Sequence, residues 1–375
     1  MTIATPETGD LLYSEIEEEL RESVRALLDK HCDWSAVLAR TESGTTSDRQ
    51  LWSMIARDLG CAGLPVPEEA GGSGVSWREA AVVAEELGRA VAPVPFLGSA
   101  GIATALLLEL GDTELLSRLA SGDAVATVVL PFSTAPGETP VHVEVDGGRL
   151  SGSVSTVADA GMADFLLVPT AEGLYAVDAH ADGVKTVECV SLDMTRVVAD
   201  ISFDGAEGRL ISAAGAGSGD ALTRAQQIGA VLLASEQLGL AERCLELTVE
   251  YLKTRRQFSR VLGSYQALKH RLADVWVQIT EARAVARYAA ECAATRSSDL
   301  PVAAALAQAV CSQVAQHAAE ECLQLHGGIG FTWEHSAHLF LKRAKADSIG
   351  LGTSAAHRAA LARLLDLPAP TTDLR

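Results

Sequence analysis

The sequence predicts a mainly helical chain interrupted by one all-β domain, and three observations carry that prediction. Only 5% of the 375 residues are aromatic while 48% are hydrophobic, with Ala and Leu abundant, a composition that favours helices. Apolar residues recur at helical spacing through both outer parts of the chain. Between them, short β-branched runs are separated by Pro and Gly turns, without the βα alternation of a parallel sheet.

Taken in order, residues 1–125 read as a helical domain. Leu11, Ile16, Leu20, Val24 and Leu27 form one apolar stripe. The loop LPVPEEAGGSGVS (64–76) carries the Pro and Gly that break helices, and Ser76 is placed to cap the helix that follows. Residues 126–215 give ATVVL, VHVEV, DFLLVP and VVADISF between PGE, DGG and ADG turns, which fits an antiparallel barrel or sandwich. Gly-rich SAAGAGSGD (212–220) reads as a linker. Residues 216–375 then form a helical bundle: Leu238, Ala241, Leu245, Val249 and Leu252 step by three and four, and long periodic stretches cover 264–296 and 301–325.

Charge and cysteine usage exclude several functions. A formal net charge of −19 opposes non-specific binding to nucleic acid or an anionic membrane. No apolar run reaches the ~18 residues of a membrane span, and the acidic N-terminus MTIATPETGDLLYSEIEEEL is unlike a secretion signal. Seven scattered cysteines without a CxxC pair read as buried residues of a reducing compartment rather than a disulfide framework or metal site. A cytoplasmic protein is expected.

Two segments carry chemistry. KTRRQFSRVLGSYQALKHR (253–271) has six Lys or Arg and no acid, although 49 acids in the chain predict about two or three there. A cationic patch on an acidic protein suits a phosphate-bearing ligand, with a solvated basic face as the plain alternative. QLHGGIGFTWEH (324–335) pairs glycines directly after a helical run, so a backbone there can approach a flat ligand or another chain; a glycine cap followed by a turn explains it equally well.

With these segments in this order, the chain resembles the acyl-CoA dehydrogenase family over nearly its whole length. The resemblance rests on a PEEAGGSG loop, RxxF followed by Gln, and QxxGGxGF. It implies an N-terminal helical domain, a β-domain and a C-terminal four-helix bundle, FAD as cofactor, and removal of two hydrogens from Cα and Cβ of an acyl-CoA thioester, with an electron-transfer acceptor downstream. Arg255, Phe258, Gln266, Gln324, Gly327 and Gly328 fall on family positions that contact the FAD of a neighbouring subunit, and Thr353 lies in the C-terminal Gly-Thr. No metal is implied.

The departures from the family are as informative. Its flavin-binding Thr-Glu-Pro stretch is VVLPFSTAPGETP here, and its Trp-Ile-Thr/Ser segment is SVSTVADAG, with Ala158 in place of the hydroxyl residue. The family's catalytic glutamate stands either before Gly-Thr, where this chain has Leu351, or at the position of Gly229. Neither can take the α proton. Glu236 is two turns beyond Gly229, about 10.5 Å away, and a solvated or capping role is the simpler expectation for it. Asp347, Glu334 and Asp159 are weaker substitutes, and His326 and His357 read equally well as packed structural residues.

The kept and lost positions together suggest a half-site subunit of a heteromeric acyl-CoA dehydrogenase that completes a homologous partner's FAD site. Other readings are a self-sufficient homodimer or homotetramer with a relocated base, Glu236 or Asp347, and a CoA-thioester-binding or hydratase-like protein without redox chemistry.

Overall fold

A computed structural model describes residues 11–44, 47–215 and 217–367; the first half of the acidic N-terminal stretch lies outside them. Six helices come first: α1 Glu15–His31, α2 Trp34–Ser43, α3 Arg49–Ser53, α4 Trp77–Ala90, α5 Thr104–Leu110 and α6 Thr113–Ala120. Ser14 and Ser76 start α1 and α4 as full capping boxes with Glu17 and Glu79. Eight strands follow: β1 Ala126–Val128, β2 Val143–Asp146, β3 Arg149–Ala158, β4 Phe165–Thr170, β5 Gly173–Asp178, β6 Val184–Glu188, β7 Val198–Glu207 and β8 Arg209–Ala213.

The strands form two four-stranded sheets, β1-β4-β5-β8 and β2-β3-β7-β6. All pairs are antiparallel except β1 with β4, which run parallel. The β2–β3 hairpin intervenes between those two strands, giving the chain a crossover long enough for a parallel return. Strand β4 has apolar residues on both faces because both are covered: Leu166 and Val168 enter the core between the sheets, and Leu167 enters the helical core.

The third part comprises α7 Ser218–Thr254, a small hairpin of β9 Arg256–Gln257 and β10 Arg260–Val261, α8 Gln266–Ala294, α9 Leu300–His326, α10 Ala337–Asp347 and α11 Ser354–Leu364. Gln308 Nε2 donates to the Ala230 carbonyl at 2.8 Å, and the Tyr251 and His326 rings stack at 4.5 Å, so α7 and α9 run parallel and end together. Helices α4 and α7 cross backbone to backbone. A Cβ on Gly239 would lie 1.8 Å from the Glu85 carbonyl oxygen, and one on Gly88 2.0 Å from that of Glu236.

The apolar stripe expected on α1 is corrected in part. Val24 and Leu28 are buried, but Ile16 is 66% exposed and Glu17 only 1%. Glu17 receives ion pairs from Arg78 and Arg287, so a charged network rather than apolar contact seats that end of the helix against α4 and α8. Burial alone would raise the Glu17 pKa, but these arginines and the Ser14 N–H hold it down at about 2.

Candidate functional site

A narrow apolar cleft lies where the 97–102 segment, the start of the β-domain, α7 and the 348–353 turn meet. Leu97, Ile102, Leu130, Phe132, Gln226 and Leu351 line it, and its free volume is about 30 Å³, room for a few water molecules. The two positions where the sequence resemblance places a base converge here. A Cβ on Gly229 would lie 2.6 Å from Ile102 Cγ1 and 3.1 Å from Leu351 Cδ1.

The turn that carries Leu351 is fixed on every side. Leu351 has φ +53°, a left-handed conformation costing about 1 kcal/mol for a bulky residue. Its N–H donates to the Phe132 carbonyl at 2.7 Å, and its carbonyl accepts from His357 Nε2 at 2.9 Å, which gives His357 a structural role. Gly350 lies under the Phe132 ring, where a Cβ would come within 2.4 Å of Cζ. Gln226 clips the neighbouring loop by accepting from Gly137 N–H and donating to the Glu138 carbonyl, both at 3.0 Å. Thr353 caps α11, its hydroxyl accepting from Ala356 N–H at 3.2 Å.

The acids near this cleft are engaged or sealed away. Glu236 is neither solvated nor capping, contrary to the sequence expectation: it is 6% exposed and accepts from Arg196 and Arg343, both at 2.5 Å. Burial alone would raise its pKa, but the two guanidinium groups outweigh that and hold it below the usual carboxylate range. Asp159 is buried in a left-handed conformation and accepts from Gly98 N–H at 2.9 Å. Asp347 is 0% exposed, and Glu334 sits exposed on the turn before α10. That Arg196 and Arg343 converge on Glu236 is not legible from local pattern, because they lie 40 and 107 residues from it.

The second region is open. Between β9 and β10, Phe258 and Ser259 occupy a two-residue turn with φ +49° and +65°, values that hairpins usually assign to Asn and Gly. The turn holds Phe258 85% exposed. Arg255, Arg256 and Arg260 are exposed around it, Arg260 lies 3.8 Å over the Tyr265 ring, and Gln266 begins α8. Among the described residues none of these three arginines has an ion pair.

The Tyr251–His326 stack brings this hairpin beside the end of α9, so the structure unites the two motifs. There Gln324 is exposed and its carbonyl accepts the Gly327 N–H. Gly327 has φ +62° and ψ −139°, a conformation nearly closed to other residues, and a Cβ on Gly327 or Gly328 would meet nothing within 4 Å. Phe331 and Trp333 beside them are 67% and 58% exposed. Beneath, His326 is buried with Nδ1 2.6 Å from the Cys322 carbonyl.

As a test of fit for FAD, the open region offers unpaired guanidinium groups, an exposed ring and accessible glycine backbone, which suit a dinucleotide diphosphate and its adenosine. The cleft does not fit a flavin ring as it stands, since Phe132 and Leu351 fill it. Among the described residues no group of three or more His, Cys, Asp or Glu could hold a metal, and no helix is long and apolar enough to cross a membrane.

Sequence comparison agrees with this architecture. The family description "Acyl-CoA dehydrogenase, N-terminal domain" matches residues 14–123, and "Acyl-CoA dehydrogenase, C-terminal domain" matches 216–365. The chain belongs to the acyl-CoA dehydrogenase family, a family of FAD-dependent oxidoreductases. It is similar to acyl-CoA dehydrogenase IpdE2 of Mycolicibacterium smegmatis, at 39% identity over 90% of this chain and 95% of that one. Among solved structures it resembles a chain of the ChsE4–ChsE5 complex from Mycobacterium tuberculosis, with TM-score 0.86 and 27% identity over 96% of this chain and 100% of that one. It also resembles a variant of the Tcur3481–Tcur3483 steroid ACAD, with TM-score 0.83 and 31% identity over 94% and 98%.

Proposed function

We propose that this chain is one subunit of an FAD-dependent acyl-CoA dehydrogenase, and that a homologous partner carries the proton-abstracting carboxylate. One observation carries the reading: Gly229 and Leu351, the two positions open to a base, pack against each other at an apolar cleft whose lining residues include no acid. The similarity to ChsE4–ChsE5 and Tcur3481–Tcur3483, each solved as a two-protein assembly, supports a heteromer. The steroid in the second description favours a bulky CoA thioester as substrate.

In this reading Arg255, Arg256 and Arg260 hold the diphosphate of the FAD shared with the partner, and Phe258 covers its adenosine end. Gln266 and Gln324 donate to it at the rim, and Gly327 and Gly328 let the backbone approach. FAD held by these residues would supply the hydride-accepting chemistry that removal of the Cα proton and the Cβ hydride requires. The residues around Leu351 and Phe132 narrow this chain's own cleft and move no proton, while Thr353 keeps the turn wound onto α11.

The self-sufficient reading requires Glu236 or Asp347 as base. Two arginines that both donate to Glu236 Oε1 hold its pKa below the usual range and so weaken it as a base, and Asp347 is sealed from the cleft, which disfavours both. The test is complementation in the co-expressed complex. Replacing the partner's catalytic carboxylate should abolish turnover, while Glu334→Gln in this chain should leave it unchanged. Turnover by this chain purified alone would overturn the proposal.

A further inference from the structure

The 348–353 turn stands on a buried charge cluster that the proposed function does not use. Four carboxyl groups meet two guanidinium groups there, each at least nine-tenths buried: Glu236 from α7, Asp193 and Arg196 from the segment before β7, Asp159 from the segment after β3, and Arg343 and Asp347 from α10. Three of the carboxyl groups are well satisfied. Arg343 pairs with Asp193 at 2.8 Å, both arginines pair with Glu236, and Asp159 accepts from Gly98 N–H. Asp193 also accepts from Thr195 N–H at 2.9 Å. Asp193 and Glu236 between them already pair with both guanidinium groups.

Asp347 is the odd member. Neither of its carboxyl oxygens has a hydrogen-bond partner, and its nearest cation atom, Arg196 Nε at 3.6 Å, makes no hydrogen bond either. Gln237 clasps the same residue from α7, its Nε2 donating to the Asp347 carbonyl at 3.2 Å, while its Oε1 receives no donor. A carboxylate at this place would leave its own lone pairs and the Gln237 oxygen unsatisfied and add an uncompensated charge. A carboxylic acid would bring a donor to the residue that Gln237 already grips through its backbone carbonyl.

We infer that Asp347 is held as a neutral acid whose O–H serves Gln237 Oε1, a proton-dependent latch between the end of α10 and α7 beneath Leu351. Burial, and then the Glu236 charge, raise its hold on the proton, against the opposing pull of Arg196 and Arg343; Asp193 adds to the same side as Glu236. The folded chain therefore binds this proton more tightly than the unfolded chain does. The latch contributes fully at low pH, and its contribution is lost as pH rises through the folded pKa. Ionisation places a second charge against Glu236 and loosens the turn.

The latch is independent of whether a partner supplies the base. Infrared spectroscopy of the full chain in the carboxylic-acid C=O region tests it at about pH 7. A protonated-carboxyl band is expected that disappears in Asp347→Asn, and that persists in Glu85→Gln and Asp159→Asn, the other buried acids whose pKa is raised. Between about pH 6 and about pH 9 the Tm of the wild-type chain should fall more steeply than that of Asp347→Asn. Absence of any such band in the wild-type chain overturns the inference without a variant. So does carboxylic-acid intensity that is undiminished in Asp347→Asn, since Glu85, raised to about 7, and Asp159 contribute bands of their own.

Discussion

The cleft around Leu351 and the surface around Phe258 both break a local backbone rule, and they break it in opposite directions. Leu351 occupies a left-handed turn that points its side chain inward, where Phe132, Gly350 and His357 hold it with almost no free volume. Phe258 occupies a left-handed turn that points its side chain outward, among arginines that have no ion pair among the described residues. Backbone strain persists where the surroundings or a function hold it. Packing accounts for Leu351. Nothing among the described residues accounts for exposing Phe258, which points to something that approaches from outside them.

The largest effect that sharpens this contrast is on stability. Glu236→Ala leaves Arg196 and Arg343 buried without their shared partner and should cost about 3–5 kcal/mol in denaturant unfolding. If the variant folds normally and turnover alone is lost, Glu236 is a base and the inert-cleft account fails. Next, the paired change Arg255→Ala with Phe258→Ala should leave the fold intact and weaken FAD binding by the co-expressed complex about 10–100-fold in a flavin titration. An unchanged affinity would reduce the open surface to a solvated face.

Leu351→Glu probes the cleft directly. An acid placed against Ile102 and Leu97 should lower stability by roughly 1–3 kcal/mol and give the isolated chain no turnover, because Phe132 still fills the cleft. Turnover gained by this single change would mean that only the base is missing. The smallest effect is expected of Gly327→Ala, at about 1–2 kcal/mol, since its φ of +62° with ψ −139° is closed to alanine; the loss should be read as lower Tm and weaker flavin retention together.

The open surface was largely legible in the sequence, because its chemistry is local. Six basic residues without an acid and a paired glycine after a helix announced themselves, and the resemblance placed Arg255, Phe258 and Gln324 at once. That the two motifs share one surface required α7 and α9 to end together, a long-range fact carried by Tyr251 and His326. The cleft was legible only as absences, Leu351 and Gly229 in place of acids. What fills it was not, because Phe132 meets Gly350 and Leu351 across more than two hundred residues. A separation of 107 residues hid the pairing of Glu236 with Arg343, and periodicity misjudged α1, where buried Glu17 took the place expected of an apolar neighbour.

The central claim is that this chain holds flavin only together with a homologous partner. The most direct measurement is the visible absorption spectrum of the chain expressed alone beside that of the chain co-expressed with a homologous acyl-CoA dehydrogenase, each read as flavin per protein chain. The account predicts flavin bands in the co-expressed complex and none in the isolated chain. Stoichiometric flavin in the isolated chain would contradict it, and would mean that Phe132 and Leu351 move aside to admit the ring.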